Sequence, residues 1–168
     1  MNIILLSTGA ILLAVLAVFG IGLALPDTRT GTSSRVIDVP AYILRAVILD
    51  VEGQPRWRSG IVAVERTSSG WIETTARGER IHFQLSEQRE DHIGMMFSSS
   101  YGYHGRWNGR LTELDDGSSL LEVTEQATTP SPIGRIFSRL FFDPEAYATA
   151  YLVELWAEAE ARVKQEVN

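Results

Sequence analysis

Glu125 lies in the run Leu121-Glu122-Val123-Thr124-Glu125-Gln126. If this run is a strand, alternation puts Glu125 on one face with Leu121 and Val123, and Glu122, Thr124 and Gln126 on the other. A carboxylate among apolar neighbours is costly to bury unless it is paired or protonated. Glu125 could therefore contact a ligand hydroxyl or carbonyl, or act as a general base with a raised pKa. It could equally sit at the strand's mouth, solvated or paired with an arginine.

Trp57 and Arg58 offer an aromatic wall and a guanidinium at a cavity entrance, or else a core-closing ring and an ordinary ion pair. Trp71 and Glu73 are two residues apart and share a face, from which Glu73 could reach Arg58 or Arg66 across strands. The histidines, His82, His92 and His104, fall on three separate segments without metal-ligand spacing, so no metal site is expected. His82 is out of phase with Ile81 and Phe83 and should face solvent. His104, in the loop Tyr101-Gly102-Tyr103-His104-Gly105, is the histidine expected at a cavity rim, and with Glu125 it is the weak candidate for catalysis. No nucleophile elbow and no phosphate-binding glycine loop is present, and no cofactor is expected.

These residues must be positioned by a series of short strands. Arg35–Val39 reads as a strand, followed at Pro40 by a helix with Ile43, Ala46 and Val47 on one side. Ile61–Arg66, Trp71–Ala76, Arg80–Leu85, Ile93–Ser98, Arg106–Leu114 and Ser118–Thr128 follow, separated by Gly, Asp and Ser turns, the signature of a hairpin-connected antiparallel sheet. Ser131-Pro132 then starts a helix with an apolar stripe of Ile133, Ile136, Phe137, Leu140 and Phe141. That stripe could pack into the sheet, or form a gate or membrane-facing lid flanked by Arg135 and Arg139. Asp143-Pro144 opens a long last helix with Ala148, Tyr151, Leu152, Leu155 and Ala159 on one face.

Before the domain stands an uncharged stretch, Ile3 to Leu25. About 23 residues at 1.5 Å each span roughly 34 Å, enough for a bilayer's hydrocarbon core. No Lys or Arg precedes it, which favours a retained anchor over a cleaved signal peptide. Residues 1–26 are thus expected as a transmembrane anchor in contact with the bilayer through residues 3–25. Residues 27–34 are expected as a short polar linker, and residues 35–168 as one domain. Arg29 and Arg35 after the span favour a cytoplasmic domain on a single-pass protein. The net charge is −6 and Lys164 is the single lysine, a balance that argues against nucleic acid. The chain has no cysteine, which excludes disulfides.

The order strand, helix, six strands, short helix, long helix resembles the START-like (SRPBCC) superfamily, in particular its polyketide cyclase/dehydrase-like branch. The strings that carry the likeness are Ile37-Asp38-Val39-Pro40-Ala41, Leu49-Asp50-Val51-Glu52-Gly53 leading to Trp57-Arg58-Ser59-Gly60, Trp71-Ile72-Glu73, Arg106-Trp107, Leu121-Glu122-Val123-Thr124-Glu125 and Asp143-Pro144-Glu145. The resemblance implies an α+β helix-grip fold, a curved antiparallel sheet around the C-terminal helix with a cavity between them. It also implies a hydrophobic small molecule or lipid as ligand. Trp57, Trp71, Trp107, Leu111, Val123, Tyr151 and Leu155 are the wall residues expected on this basis, with Glu125 and Arg58 as polar contacts. The alternatives are a polyketide cyclase/dehydratase-like enzyme and a membrane-tethered interaction module.

Overall fold

Ala148, Tyr151, Leu152, Leu155 and Ala159 recur at helical spacing along the last helix, and all five are buried. That helix runs Pro144–Glu166 and is the axis on which the rest of the chain is wrapped. The computed structural model describes the backbone of residues 2–166 and the side chains of residues 13–165.

The elements in chain order are α1 (Asn2–Ala24), β1 (Thr28–Ile37), α2 (Ala41–Leu49), a 3-10 turn (Val51–Arg56), β2 (Ile61–Thr67), β3 (Gly70–Thr75), β4 (Arg80–Gln88), β5 (His92–Ser99), β6 (His104–Glu113), β7 (Ser119–Thr128), α3 (Pro132–Phe141) and α4 (Pro144–Glu166). The strands form one antiparallel, curved sheet in the order β1-β7-β6-β5-β4-β3-β2. Only the β1–β7 pairing joins strands distant in sequence; the others are hairpins. This is the expected α+β helix-grip architecture.

Apolar residues of one sheet face, among them Ile37, Ile93, Trp107, Leu111, Leu121 and Val123, meet α4 and the buried side of α2 (Ile43, Leu44, Val47, Ile48) in a single core. Polar ties hold the layers in register. Arg162 of α4 reaches Asp50 at the end of α2 at 2.7 Å, and Ser119 donates to the Val39 carbonyl at 2.8 Å. Arg35 lies over the Trp156 ring, 4.1 Å from its centroid.

One expectation about the fold needs correction. The segment read as a linker is strand: β1 begins at Thr28 and pairs with β7 from Thr28↔Thr128 to Ile37↔Ser119. Its Thr, Gly and Ser residues are turn formers locally, but a ladder to β7 along the whole strand pairs the backbone groups on that side and overrides that preference. Gly31 belongs there for a further reason. A Cβ at that position would stand 2.3 Å from the Pro144 carbonyl, a backbone atom at the start of α4. Gly31→Ala is therefore expected to cost about 1–3 kcal/mol as overpacking at the β1–α4 crossing, measured as a lower urea midpoint with unchanged m-value.

For α3 the sequence left two placements open. None of its residues is buried, so its apolar stripe does not pack into the sheet. It packs beside the C-terminal end of α1 instead, where Gly22 touches the Pro132 backbone.

The expected membrane span falls partly on residues 1–12, whose side chains lie outside those described. Among the described residues, no helix is long and apolar enough to cross a membrane.

Candidate functional site

The 3-10 turn after α2 is closed by Asp50, which accepts from the Gly53 amide, and it delivers Gln54 and Arg58 to the inner face of the sheet. The Arg58 backbone amide donates to the Gln54 carbonyl at 2.8 Å. Its guanidinium donates to the Gln54 side-chain carbonyl at 2.5 Å, to Glu73 Oε2 at 2.8 Å and to the Tyr147 hydroxyl at 3.1 Å. Glu73 is 1 % exposed and accepts a second bond, at 3.0 Å, from the Trp71 indole. Both carboxylate oxygens of Glu73 are thus engaged. A buried charge pair is tolerated when its remaining donors and acceptors are satisfied in this way.

Burial on its own would lower the Arg58 pKa, but the charge and hydrogen bond of Glu73 together with Tyr147 and Tyr151 outweigh it, and the guanidinium is held above its ordinary value.

Glu125 comes from β7, opposite Trp107 on β6 and Gly31 on β1. It lines an internal cavity with Gln54, Arg58, Glu73, Trp107 and Tyr147. Burial pushes its carboxyl up to about 7, against the opposing pull of Arg58 and with a further push from the Glu73 charge. No hydrogen bond contributes to that balance. With its pKa raised toward neutrality, the group can donate when protonated and accept when ionised.

The remaining lining is aromatic and thioether: Phe83, Met95 and Tyr151 complete the cavity. Tyr151 is at the centre of the packing, 5.7 Å from Trp107 edge-on and 5.9 Å from Trp57. Burial holds its phenol above the ordinary value, as it does that of Tyr147. These side chains leave a volume of only ≈ 30 Å³. A buried water needs about 10–15 Å³ of such space, so the chamber in this conformation has room for one or two waters.

Of the residues expected as walls, Trp107 and Tyr151 line this space, and both expected polar contacts, Arg58 and Glu125, face it. Trp71, Leu111, Val123 and Leu155 are buried core residues that do not line it. Trp57 packs against the core, and its buried indole N–H has no hydrogen-bond partner. His104 is not at the rim. It is exposed, on the outer face of the sheet, in a shallow groove with His82, Arg106 and Gln126. The reason is the strand itself: β6 begins at His104, three residues before the inward-facing Trp107, and an odd spacing inverts the face.

Tyr101 is exposed, and Tyr103 sits edge-on to Phe97 at 6.2 Å, outside the cavity. Gln54, Tyr147, Phe83 and Met95 were not singled out by sequence. Gln54 and Tyr147 are polar residues on helical segments, and only the Arg58 guanidinium brings them together across the fold. The phase of Phe83, opposite to His82, was the one available signal.

A pH prediction follows from Glu125. Its folded pKa lies above the ordinary 4.5, so between about 4.5 and 7 the folded state binds more protons than the unfolded one. Stability therefore falls as pH rises through that window and is level beyond it, a loss of at most about 3 kcal/mol from this group. Glu125→Gln is expected to remove this component, leaving the variant more stable than the parent at pH 8. Urea unfolding at pH 5 and pH 8 on both proteins checks the sign.

No family model matches the sequence, and no curated protein does. Solved structures do. The chain is similar to the Zhui aromatase/cyclase from Streptomyces sp. R1128, with a TM-score of 0.65 and 17% identity over 81% of this chain and 96% of that one. It is similar also to a START superfamily protein from Mycobacterium smegmatis (TM-score 0.56, 17% identity, 81% and 97% covered). A Thalictrum norcoclaurine synthase point mutant aligns with a TM-score of 0.60 at 10% identity, over 80% and 96% of the two chains. What this likeness shows is the fold: the chain has the helix-grip architecture of these proteins.

Proposed function

We propose that the domain binds a hydrophobic small molecule or lipid carrying a hydroxyl or carbonyl group, between the sheet and α4. The observation that carries this reading is Glu125: a carboxyl facing an internal cavity beside Arg58, without a hydrogen bond of its own. Glu125 is partly buried and lies outside the core cluster, so its carboxyl faces the cavity without being needed to hold the core together. A ligand oxygen would accept from protonated Glu125 or from Arg58, while Phe83, Met95, Trp107 and Tyr151 would enclose its apolar part.

The ligand does not fit the ≈ 30 Å³ now open, so binding requires those side chains to move. Met95, unbranched and with three rotatable bonds, is the lining residue whose side chain can most readily take another rotamer. Two structural neighbours are named as an aromatase/cyclase and a norcoclaurine synthase. An acid/base role for Glu125 in a cyclase-like reaction is compatible with its pKa, but the same geometry serves binding.

The anchor belongs to the same proposal. Asn2–Ala24 is a 23-residue uncharged helix, and a domain joined to it without a spacer would draw an amphiphile from the adjacent bilayer.

The test is native mass spectrometry of the full chain released from membranes, followed by titration with decanol and with a naphthoquinone. A bound amphiphile, or saturable binding of a probe that weakens at least tenfold in Glu125→Ala, is expected. Absence of both would remove the binding reading. It would leave the one alternative that the nearly filled cavity favours, a membrane-tethered module that acts through its surface.

A further inference from the structure

The outward side of α3 is its apolar side. Ile133, Phe137, Leu140 and Phe141 are 50–76 % exposed. The two aromatic rings stack at 5.8 Å, forming one patch. The helix's polar residues Arg135 and Ser138 are turned to the protein. Arg135 donates to the carbonyls of Leu25, Thr129 and Pro130. Ser138, one turn on, offers its carbonyl to Arg29, whose guanidinium also takes the Phe142 carbonyl, each at 2.6 Å. An ordinary surface helix has the opposite arrangement, apolar side in and polar side out.

Nor is α3 loosely held. Ser131 caps it through the Gly134 amide, Pro132 occupies the first turn, and Arg29 satisfies carbonyls at its C-terminal end. A helix tied down by its polar face presents the other face by construction.

The neighbouring α1 indicates what covers that face. From Leu13 to Leu23 its large apolar residues, Leu13, Val15, Leu16, Val18, Phe19, Ile21 and Leu23, are all exposed, and together they go round the whole helix. A helix apolar on every side requires an apolar surrounding, whereas a docking partner would need only one face. α3 abuts α1 at Gly22 and is tied to it at Leu25, the point where the uncharged run gives way to Asp27. That is the level of a bilayer's polar boundary.

We propose that α3 is an interfacial helix, its Ile133, Phe137, Leu140 and Phe141 side chains immersed in the headgroup–acyl boundary of the membrane that holds α1. This rests on the anchor reading given above and adds to it a second contact with the bilayer. Such helices bury their apolar face about 5–10 Å below the headgroups. Arg139, on the helix's flank, would meet lipid phosphates.

The chain has no cysteine, so single-site labels can be placed cleanly. Phe141→Cys, and as control Glu113→Cys at the opposite end of the sheet, would carry an environment-sensitive nitrobenzoxadiazole. Each full-length protein is reconstituted into phosphatidylcholine/phosphatidylglycerol vesicles with or without doxyl-labelled lipid. The label at 141 is expected to be quenched several-fold more than that at 113, and to emit further to the blue. Equal quenching at the two positions, in protein that still floats with the vesicles, overturns the interfacial helix and leaves the anchor standing. Cross-linking of 141 to 141 with no lipid quenching would assign the face to a second copy, and also overturns it. Protein that does not float with the vesicles defeats both readings.

Discussion

Arg58→Met is expected to destabilise the domain by about 3–5 kcal/mol, the cost of leaving one member of a buried ion pair alone. Glu73 would retain the Trp71 indole as a donor but lose the 2.8 Å guanidinium contact, at a position 1 % exposed. Gln54, itself 3 % exposed, and Tyr147 would lose their donor at the same time. The expected readout is a urea midpoint shifted down with little change in m-value. Arg58→Met/Glu73→Gln should recover much of the loss, because an amide tolerates burial where an unpaired carboxylate does not. The coupling from that double-mutant cycle isolates the pair from the packing of Arg58's aliphatic stem. An additive double variant would mean that Arg58 acts through packing alone.

The same substitution has a second expected consequence, at Glu125. Arg58 is the group that opposes burial's push on that carboxyl, so its loss should raise the Glu125 pKa above about 7. In Arg58→Met the pH-dependent fall in stability therefore extends to higher pH than in the parent, a shift that a purely mechanical role for Arg58 would not produce.

Trp107→Ala is the other large effect. Trp107 is 7 % exposed, is edge-on to Tyr151 and lines the cavity. Truncating a buried tryptophan costs about 3–5 kcal/mol, from lost transfer energy together with the void left behind. Here the void opens directly onto Glu125 and Arg58. If the cavity is a ligand site kept closed by its own side chains, the variant should be less stable yet bind decanol more tightly. Loss of stability with no gain in probe binding would mean that Trp107 fills the interior without gating it. Trp107→Phe, which retains an aromatic plug, should fall between the two in both measurements.

How much of this could be read in the sequence depended on the range of the interactions involved. The inward face of α4 follows from period alone, since Ala148, Tyr151, Leu152, Leu155 and Ala159 recur within one helix. The face shared by Leu121, Val123 and Glu125 follows likewise from alternation. β1 is different. Thr28 to Ser34 has no strand pattern of its own and is strand because β7, about ninety to a hundred residues away, supplies its hydrogen-bond partners.

The polar cluster is a still longer-range product. Gln54, Arg58, Glu73, Glu125 and Tyr147 come from the turn after α2, the segment after it, two strands and α4. Only Arg58–Glu73 was accessible as a pairing by charge. The stripe on α3 was legible as a stripe, but periodicity does not say whether a face turns in or out. That was decided by where Arg135 and Arg29 found acceptors, on backbone carbonyls that no residue pattern reveals.

The absence of a spacer between α1 and β1 has a mechanical consequence. The Leu25 amide still bonds the Ile21 carbonyl of α1, and two residues later the Asp27 carbonyl is taken by Thr129 beside β7. Arg135 spans the same junction from α3. A flexible linker would let a domain sample many orientations relative to its helix; here Pro26 is the sole residue between two hydrogen-bonded frames. Torque applied to α1 is delivered to the β1–β7 edge of the sheet, the strand pair that carries Glu125. Any movement of α1 relative to the sheet must pass through this one junction, beside the strand that carries Glu125.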